Sequence, residues 1–258
     1  MILRFLLRAW LGSIGGQSEF RFNHIVGLIG ALLHAVLSVA TVEVLYRRGV
    51  GFPGWTIDAS LLVLGLFSVI TGILRMFLWP NWPAIVHHVA TGTLDFVLLK
   101  PIDSQLQLSF SAISPWSATE ILAGIGMVVY ACVEIQPSIG DVMLSLVPLS
   151  FGLIIIYSIW FAFATMSIWF VQVGHASLVL NAIVDSARYP SSAYPRAYRV
   201  VLTYVLPVTF LTTVPAEVVI GRIDVGNLIG GGIGAIVSLW LSRLFWKRAL
   251  RSYTGASG

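Results

Sequence analysis

Few residues of this 258-residue sequence combine a type and a spacing that could do chemistry. Gly255-Ala256-Ser257-Gly258 spells G-x-S-G, the surroundings of a serine nucleophile. It lies outside any apolar run, with no buried base to activate the hydroxyl. Asp141 follows Gly140 as in an intramembrane aspartyl dyad, but Ser138 stands where that pattern wants glycine, and a second aspartate inside an apolar run is missing. His87 and His88 are adjacent, so a single helix face cannot aim both at one metal, and no His-Glu-x-x-His occurs. There is no Gly-Lys pair and hence no G-x-x-x-x-G-K-[ST] loop to cradle phosphate. The expectation is a chain that is not an enzyme, with no catalytic residue, metal or cofactor of its own. Glu217 remains, beside Pro207 and Pro215. Prolines so placed free backbone groups, and at membrane depth such backbone must be buried in protein or line a cavity. Pro207, Pro215 and Glu217 therefore mark either a broken, re-entrant helix on a pathway or a kinked helix whose carboxylate reaches external water. Both readings stand.

The elements that position these residues must suit lipid. The chain is 57% hydrophobic and only 10% charged, where a soluble domain carries roughly 25% charged residues. Mean hydropathy is +0.90. Disorder, a disulfide scaffold (Cys132 is the single cysteine) and an ordinary soluble enzyme are excluded together. A crossing helix needs about 20 apolar residues to pass a hydrocarbon core ~30 Å thick. Runs at about 24–45, 57–78, 113–133, 139–165, 200–220 and 226–245 meet that requirement. They predict an all-α membrane protein of six transmembrane helices, one domain over 1–258. The apolar stretch 139–173 exceeds one crossing and reads as a single tilted helix running on into the interface.

With six crossings both termini share a side. That side collects Arg4, Arg8, Arg21, Arg75, Lys100, Arg188, Arg196, Arg199 and the cations from Arg243 to Arg251. The other side receives only Arg47, Arg48 and Arg222. The excess of Lys and Arg in cytoplasmic loops then puts both termini in the cytoplasm. The net charge of +4 is thereby a topology signal, and no nucleic-acid partner is expected. Arg4 and Arg8, spaced i, i+4, share one helical face. They interrupt the apolar stretch 1–10 instead of preceding it, which favours an interfacial amphipathic helix within 1–20 over a cleaved signal peptide. Gly226, Gly230 and Gly234 form a small-xxx-small stripe suited to packing within the chain or across a dimer. The cytoplasmic segments 79–112 and 172–199 are longer than connection requires, so that face is expected to meet a partner.

In the first of these segments, Gly92-Thr93-Leu94-Asp95-Phe96-Val97-Leu98-Leu99-Lys100-Pro101, followed by Gln105, resembles the GxLDxxLLKPxxxQ stretch of ABC-2 type transporter permeases. Arg188-Tyr189-Pro190, Tyr194-Pro195-Arg196, then Pro207 and Pro215-Ala216, are similar to a second motif of that family, and the tail through Arg251-Ser252-Tyr253-Thr254 extends the likeness. The resemblance implies an ABC-2 type exporter transmembrane domain, a permease subunit in a bacterial inner membrane. It implies a second permease chain, identical or paralogous, and separate ABC ATP-binding subunits that alone hold ATP-Mg. It also implies a cytoplasmic coupling segment at about 79–112, with Gly92, Asp95, Lys100 and Pro101 serving coupling to the ATPase. Asn81 is placed to cap a helix with Pro83 in its first turn, and Gly92 to let the backbone turn. The plainer reading of Asp95 and Lys100 is a solvated charge pair. Pro190 and Pro195 disfavour continuous helix, so Arg188, Tyr189, Pro190, Tyr194 and Pro195 are expected to form an interfacial elbow at headgroup level, feeding the 200–220 span. The alternative to a permease is a non-transporting membrane scaffold that recruits a cytoplasmic partner through the same loops.

Overall fold

The computed structural model describes residues 9–12, 21–170 and 176–253. Five helical stretches among them are long and apolar enough to cross a membrane. They are α1 (Arg21–Arg47), α2 (Ile57–Phe77) prolonged into α3 (Trp82–Ala90), α6 (Ala118–Ile135), α7 (Ile139–Thr165) and α11 (Val225–Ser252). Between them lie the short helices α4 (Leu94–Leu98), α5 (Ser104–Phe110), α8 (Ala176–Asp185), α9 (Arg196–Val200) and α10 (Thr213–Val219). No strand occurs among the described residues.

Three of the long helices start at the same end with side-chain caps that satisfy their first N–H groups. Thr56 accepts from Ala59 N, Ser138 from Asp141 N, and Asp224 from Gly226 N and Asn227 N. Asp141 thus sits in the first turn of α7, where its charge suits the helix dipole. The turn from α6 into α7 is closed by Gln136 in the left-handed region, φ 53°. This end also carries Arg47 and the bond from Arg222 to Gly54 O, and is called the Arg47 end below. The opposite end carries Arg75 and Arg243.

α2 is the central helix, its apolar window 72% buried. It packs closely on α6 because glycines on both helices let the backbones approach: a β-carbon on Gly124 would lie 2.6 Å from Val69 N. Gly65 and Gly72 are equally crowded by α6. In lipid, where apolar surface has no water to escape, such close contact is what holds helices together. Glu120 of α6 adds a polar tie, accepting from Thr71 and from Arg75 of α2. α11 packs along α7. Of the predicted stripe of Gly226, Gly230 and Gly234, only Gly234 meets α7, in ordinary contact with Ile155. Gly230 meets nothing within 4 Å, whereas the neighbouring Gly231 is pressed against the Phe210 ring. Glycine stands at 226, 230, 231, 232 and 234, so spacing alone does not select which of them packs inward.

The span expected at 139–165 begins at Ile139 and ends at Thr165, followed by a 3₁₀ turn, Met166–Ile168, so the apolar stretch does not continue as α-helix. The span expected at 200–220 is not a continuous helix. α8 leads into Ala187, the chain leaves on an excursion, and it returns at Thr212 to begin α10. The base of the excursion is closed by Thr212 Oγ1 donating to Ala187 O at 2.6 Å and by Ser191 N donating to Thr213 Oγ1 at 3.2 Å. At 1.5 Å per residue, α8 and α10 together amount to about 25 Å of helix. The 3₁₀ turn Val208–Leu211 lies directly on α7, where a β-carbon at Gly152 would meet Phe210 O at 2.5 Å.

The interior divides along the bundle. Toward the Arg243 end, Trp82, Trp160, Phe161 and Trp246 gather with Leu94, Val97, Leu180 and Leu202. Toward the Arg47 end, Val42, Trp55 and Leu62 pack with Ala216 and Val219. Of the expected N-terminal helix only residues 9–12 are described; they are helical, and Trp10 donates to Phe110 O and packs on Phe77. Arg4 and Arg8 lie outside the described residues.

Candidate coupling surface and membrane cavity

Beyond Phe77, Pro80 and Pro83 turn the chain through a 3₁₀ step into α3. Asn81 holds the cap position of α3, yet its side chain makes no cap bond. It is fully buried and instead clamps the loop: its amide donates to Phe77 O and Ala112 O, and its carbonyl accepts from Ser111 Oγ and Ala112 N. The outgoing and returning strands of the 79–112 segment are thereby pinned together at the end of α2. After α3, Gly92 takes φ +70°, a conformation that side-chain-bearing residues rarely adopt. The turn it makes points α4 so that Leu94 and Val97 enter the core while Phe96 and Leu99 stand out, 69% and 79% exposed. Leu98 and Lys100 are also on the outer surface.

Pro101 ends that helix, and Asp103 starts α5 by accepting from Leu106 N. Asp103 is also bonded twice by Arg243 of α11, one contact at 2.9 Å. Arg243 reaches Gln105 as well, Gln105 donates to Ser242, and Trp246 donates to Ser104. Partial burial on its own would raise the Asp103 carboxyl. The Arg243 hydrogen bonds, the Leu106 N–H and the Arg243 charge outweigh it and hold the group below its ordinary range. Gly92, Asp95, Lys100 and Pro101 therefore share one loop whose base is fastened to α2 by Asn81 and to α11 by Asp103.

The second set of predicted residues lies elsewhere. Arg188 stands over the ring of Phe67, halfway along α2, and pairs with Asp185. Tyr189 packs on Phe52, in the loop between α1 and α2. Tyr189 thus reaches toward the Arg47 end, whereas Arg188 sits midway along α2, away from the 79–112 loop. The prolines do break helix as expected: Pro190 precedes a 3₁₀ turn, Ser191–Ala193, and Pro195 precedes α9. Tyr194 packs at the edge of the larger core. Arg199 folds back to donate to the carbonyls of Ser191, Ser192 and Tyr194.

Past α9 the helix widens into a π turn, Val201–Val205, and breaks before Pro207. Pro215 is in the first turn of α10, where a missing N–H does no harm. The helix is interrupted at Pro207. Between α9, the π turn, α10 and the start of α11 lies a polar cavity of about 350 Å³, with Arg196, Thr203, Thr209 and Glu217 on its wall. Among the described residues, no three His, Cys, Asp or Glu side chains are grouped to hold a metal.

The structure thus holds a loop fastened to two long helices that displays apolar side chains, and, elsewhere in the bundle, a helix broken before Pro207. The sequence profile of ABC-2 family transporter proteins matches residues 32–257. This chain belongs to the ABC-2 transporter family. No curated protein and no solved structure matches it. As an ABC-2 permease it is a membrane transport component. Sequence reasoning missed Phe96, Leu99, Asp103, Arg243, Arg196 and Thr209. The exposed Phe96 and Leu99 had a signal, large apolar residues beside a Lys-Pro stop; the pairing of Asp103 with Arg243, 140 residues apart, had none.

Proposed function

We propose that this ABC-2 permease is the transmembrane subunit of an ATP-driven bacterial exporter, acting with a second permease chain and with separate ATP-binding subunits. The observation that carries the reading is the surface of α4. Phe96, Leu98 and Leu99 stand exposed on a turn fixed by Gly92, with Asp95 and Lys100 beside them. A patch of large apolar side chains on a loop marks a surface for a partner, and ties to α2 and α11 transmit any displacement of that loop into the bundle. The 79–112 loop is then cytoplasmic, as are both termini. The helices α8 and α10 together complete a sixth crossing, since about 25 Å of helix approaches the ~30 Å hydrocarbon core.

In operation, closure of the ATPase pair pushes α4, and the strap from Asp103 to Arg243 carries that push to α11, which with α7 flanks the 188–211 excursion. Rigid helices moving about a packed contact supply the switch between two arrangements. The test uses Phe96→Glu with Leu99→Glu in the intact operon. Normal membrane abundance with loss of the ATP-binding subunit from the purified complex supports the reading. Full retention of an ATP-binding subunit, or a wild-type complex that contains none, overturns it; the latter is the result expected of a scaffold.

A further inference from the structure

The cavity beside the excursion is a built polar site. Its floor is Thr209, in the 3₁₀ turn that lies on α7, and its rim is Asp224 and Asn227 at the Arg47 end. Thr209 is 5% exposed, and its hydroxyl has no hydrogen-bond partner among the described residues. A buried hydroxyl left unpaired costs about 1–3 kcal/mol, so a ligand that pairs it recovers that cost. Two of the four charges around the cavity are already spent on the protein. Arg199 serves the carbonyls of the 191–194 turn, and Asp224 caps α11. Arg196 and Glu217 make no ion pair among the described residues, with each other or with a neighbour. One cationic and one acidic side chain thus line the same space. A simple anion meets Arg196 but is repelled by Glu217, and a simple amine meets the reverse. A zwitterion satisfies both.

We propose that this cavity binds a zwitterionic headgroup, its anionic part on Arg196, its amine on Glu217 and one oxygen on the Thr209 hydroxyl. About 350 Å³ holds on the order of ten waters, matching a phosphoethanolamine-sized group. The proposal rests on the permease reading above for its meaning as a substrate subsite, and names the substrate class as zwitterionic amphiphiles or their free headgroups.

The test uses the purified complex in a maltoside detergent, carrying Cys132→Ala and a reporter, Thr203→Cys, on the cavity wall. The rate of labelling by a small methanethiosulfonate is measured with three probes: a short-chain phosphatidylethanolamine, a phosphatidylglycerol of the same chains, and free glycerophosphoethanolamine. The phosphatidylethanolamine slows labelling at least fivefold and the phosphatidylglycerol less than twofold. Equal protection by glycerophosphoethanolamine identifies a free-headgroup site, and protection by the lipid alone an amphiphile site; both support the assignment. Arg196→Gln and Glu217→Gln each remove the protection. Thr209→Val leaves the melting temperature equal or higher, since no bond is lost, and weakens protection threefold or more. Equal protection by the two lipids, protection that survives both charge changes, or no protection by any probe overturns the proposal. So does a cavity already closed to label without lipid, the result of a second chain seated on it. Retention of the ATP-binding subunit is scored on every sample: its loss tests the permease reading, and labelling of the chain alone still tests the cavity.

Discussion

Asp103→Asn isolates the strap between the loop and the last helix. Asparagine caps a helix as well as aspartate does, so the bond from Leu106 N to the residue-103 side chain is kept while the charge that faces Arg243 is lost. Charge-assisted hydrogen bonds contribute about 1.5–3 kcal/mol. Here the side chains are 29% and 38% exposed, and solvent screening brings the expectation to about 1–1.5 kcal/mol. Arg243→Gln costs a similar amount or slightly more, because Gln105 Oε1 also loses its donor. In a double-mutant cycle the two changes together cost little more than either alone, a coupling of about 1 kcal/mol or fivefold. The reporter is intrinsic fluorescence on heating, since Trp246 bonds Ser104 within the same strap and is 1% exposed. The Asp103 carboxyl is depressed in the folded chain, so its stabilisation is complete above the unfolded value near 4 and is lost as pH falls through the lower folded value. The margin of wild type over Asp103→Asn is therefore constant from pH 7 down to about 5 and vanishes in stronger acid. Additive single costs, or a margin unchanged across that acid range, would refute the strap.

Three further outcomes follow from the same contacts. Asn81→Ala strands the half-buried N–H and carbonyl of Ala112, with a cost of about 1–3 kcal/mol, read as thermal destabilisation and as proteolytic cutting within 79–112. Gly92→Val puts a β-branched residue at φ +70° and costs about 1–3 kcal/mol; Gly92→Asn, which tolerates that region, restores most of the stability and of ATPase retention. Gly124→Ala drives a methyl into the backbone of α2 and costs about 1–3 kcal/mol, whereas Gly126→Ala, with open space around it, is neutral in the same melt.

The long helices were legible because lipid forces each crossing to satisfy its own backbone; length and apolarity were then enough to place α7 at Ile139–Thr165. The excursion was not legible for the opposite reason. Arg188, Arg196, Arg199 and the prolines have the composition of a cytoplasmic loop, and what Arg188 and Arg199 bind is visible only in three dimensions: the Phe67 ring and Asp185 for the first, and for the second the carbonyls of a turn beside the bond from Thr212 to Ala187. Glycine stripes were equally ambiguous. Gly65, Gly72 and Gly124 make the closest crossing, but nothing in their spacing distinguishes them from Gly226 and Gly230. In the loop, family resemblance marked Gly92 through Pro101, and the turn at Gly92 followed from its type. Which neighbours face outward followed only from seeing Leu94 and Val97 buried.

The central claim is that α4 meets an ATP-binding subunit. Site-specific incorporation of a photo-crosslinking phenylalanine analogue at Phe96 tests it in native membranes, with the same residue at Ile139, at the Arg47 end, as the comparison. The account predicts an ultraviolet-dependent adduct from position 96 whose partner peptides include a nucleotide-binding Walker sequence, and none from position 139. An adduct to such a subunit from 139 but not 96, or from neither, contradicts it.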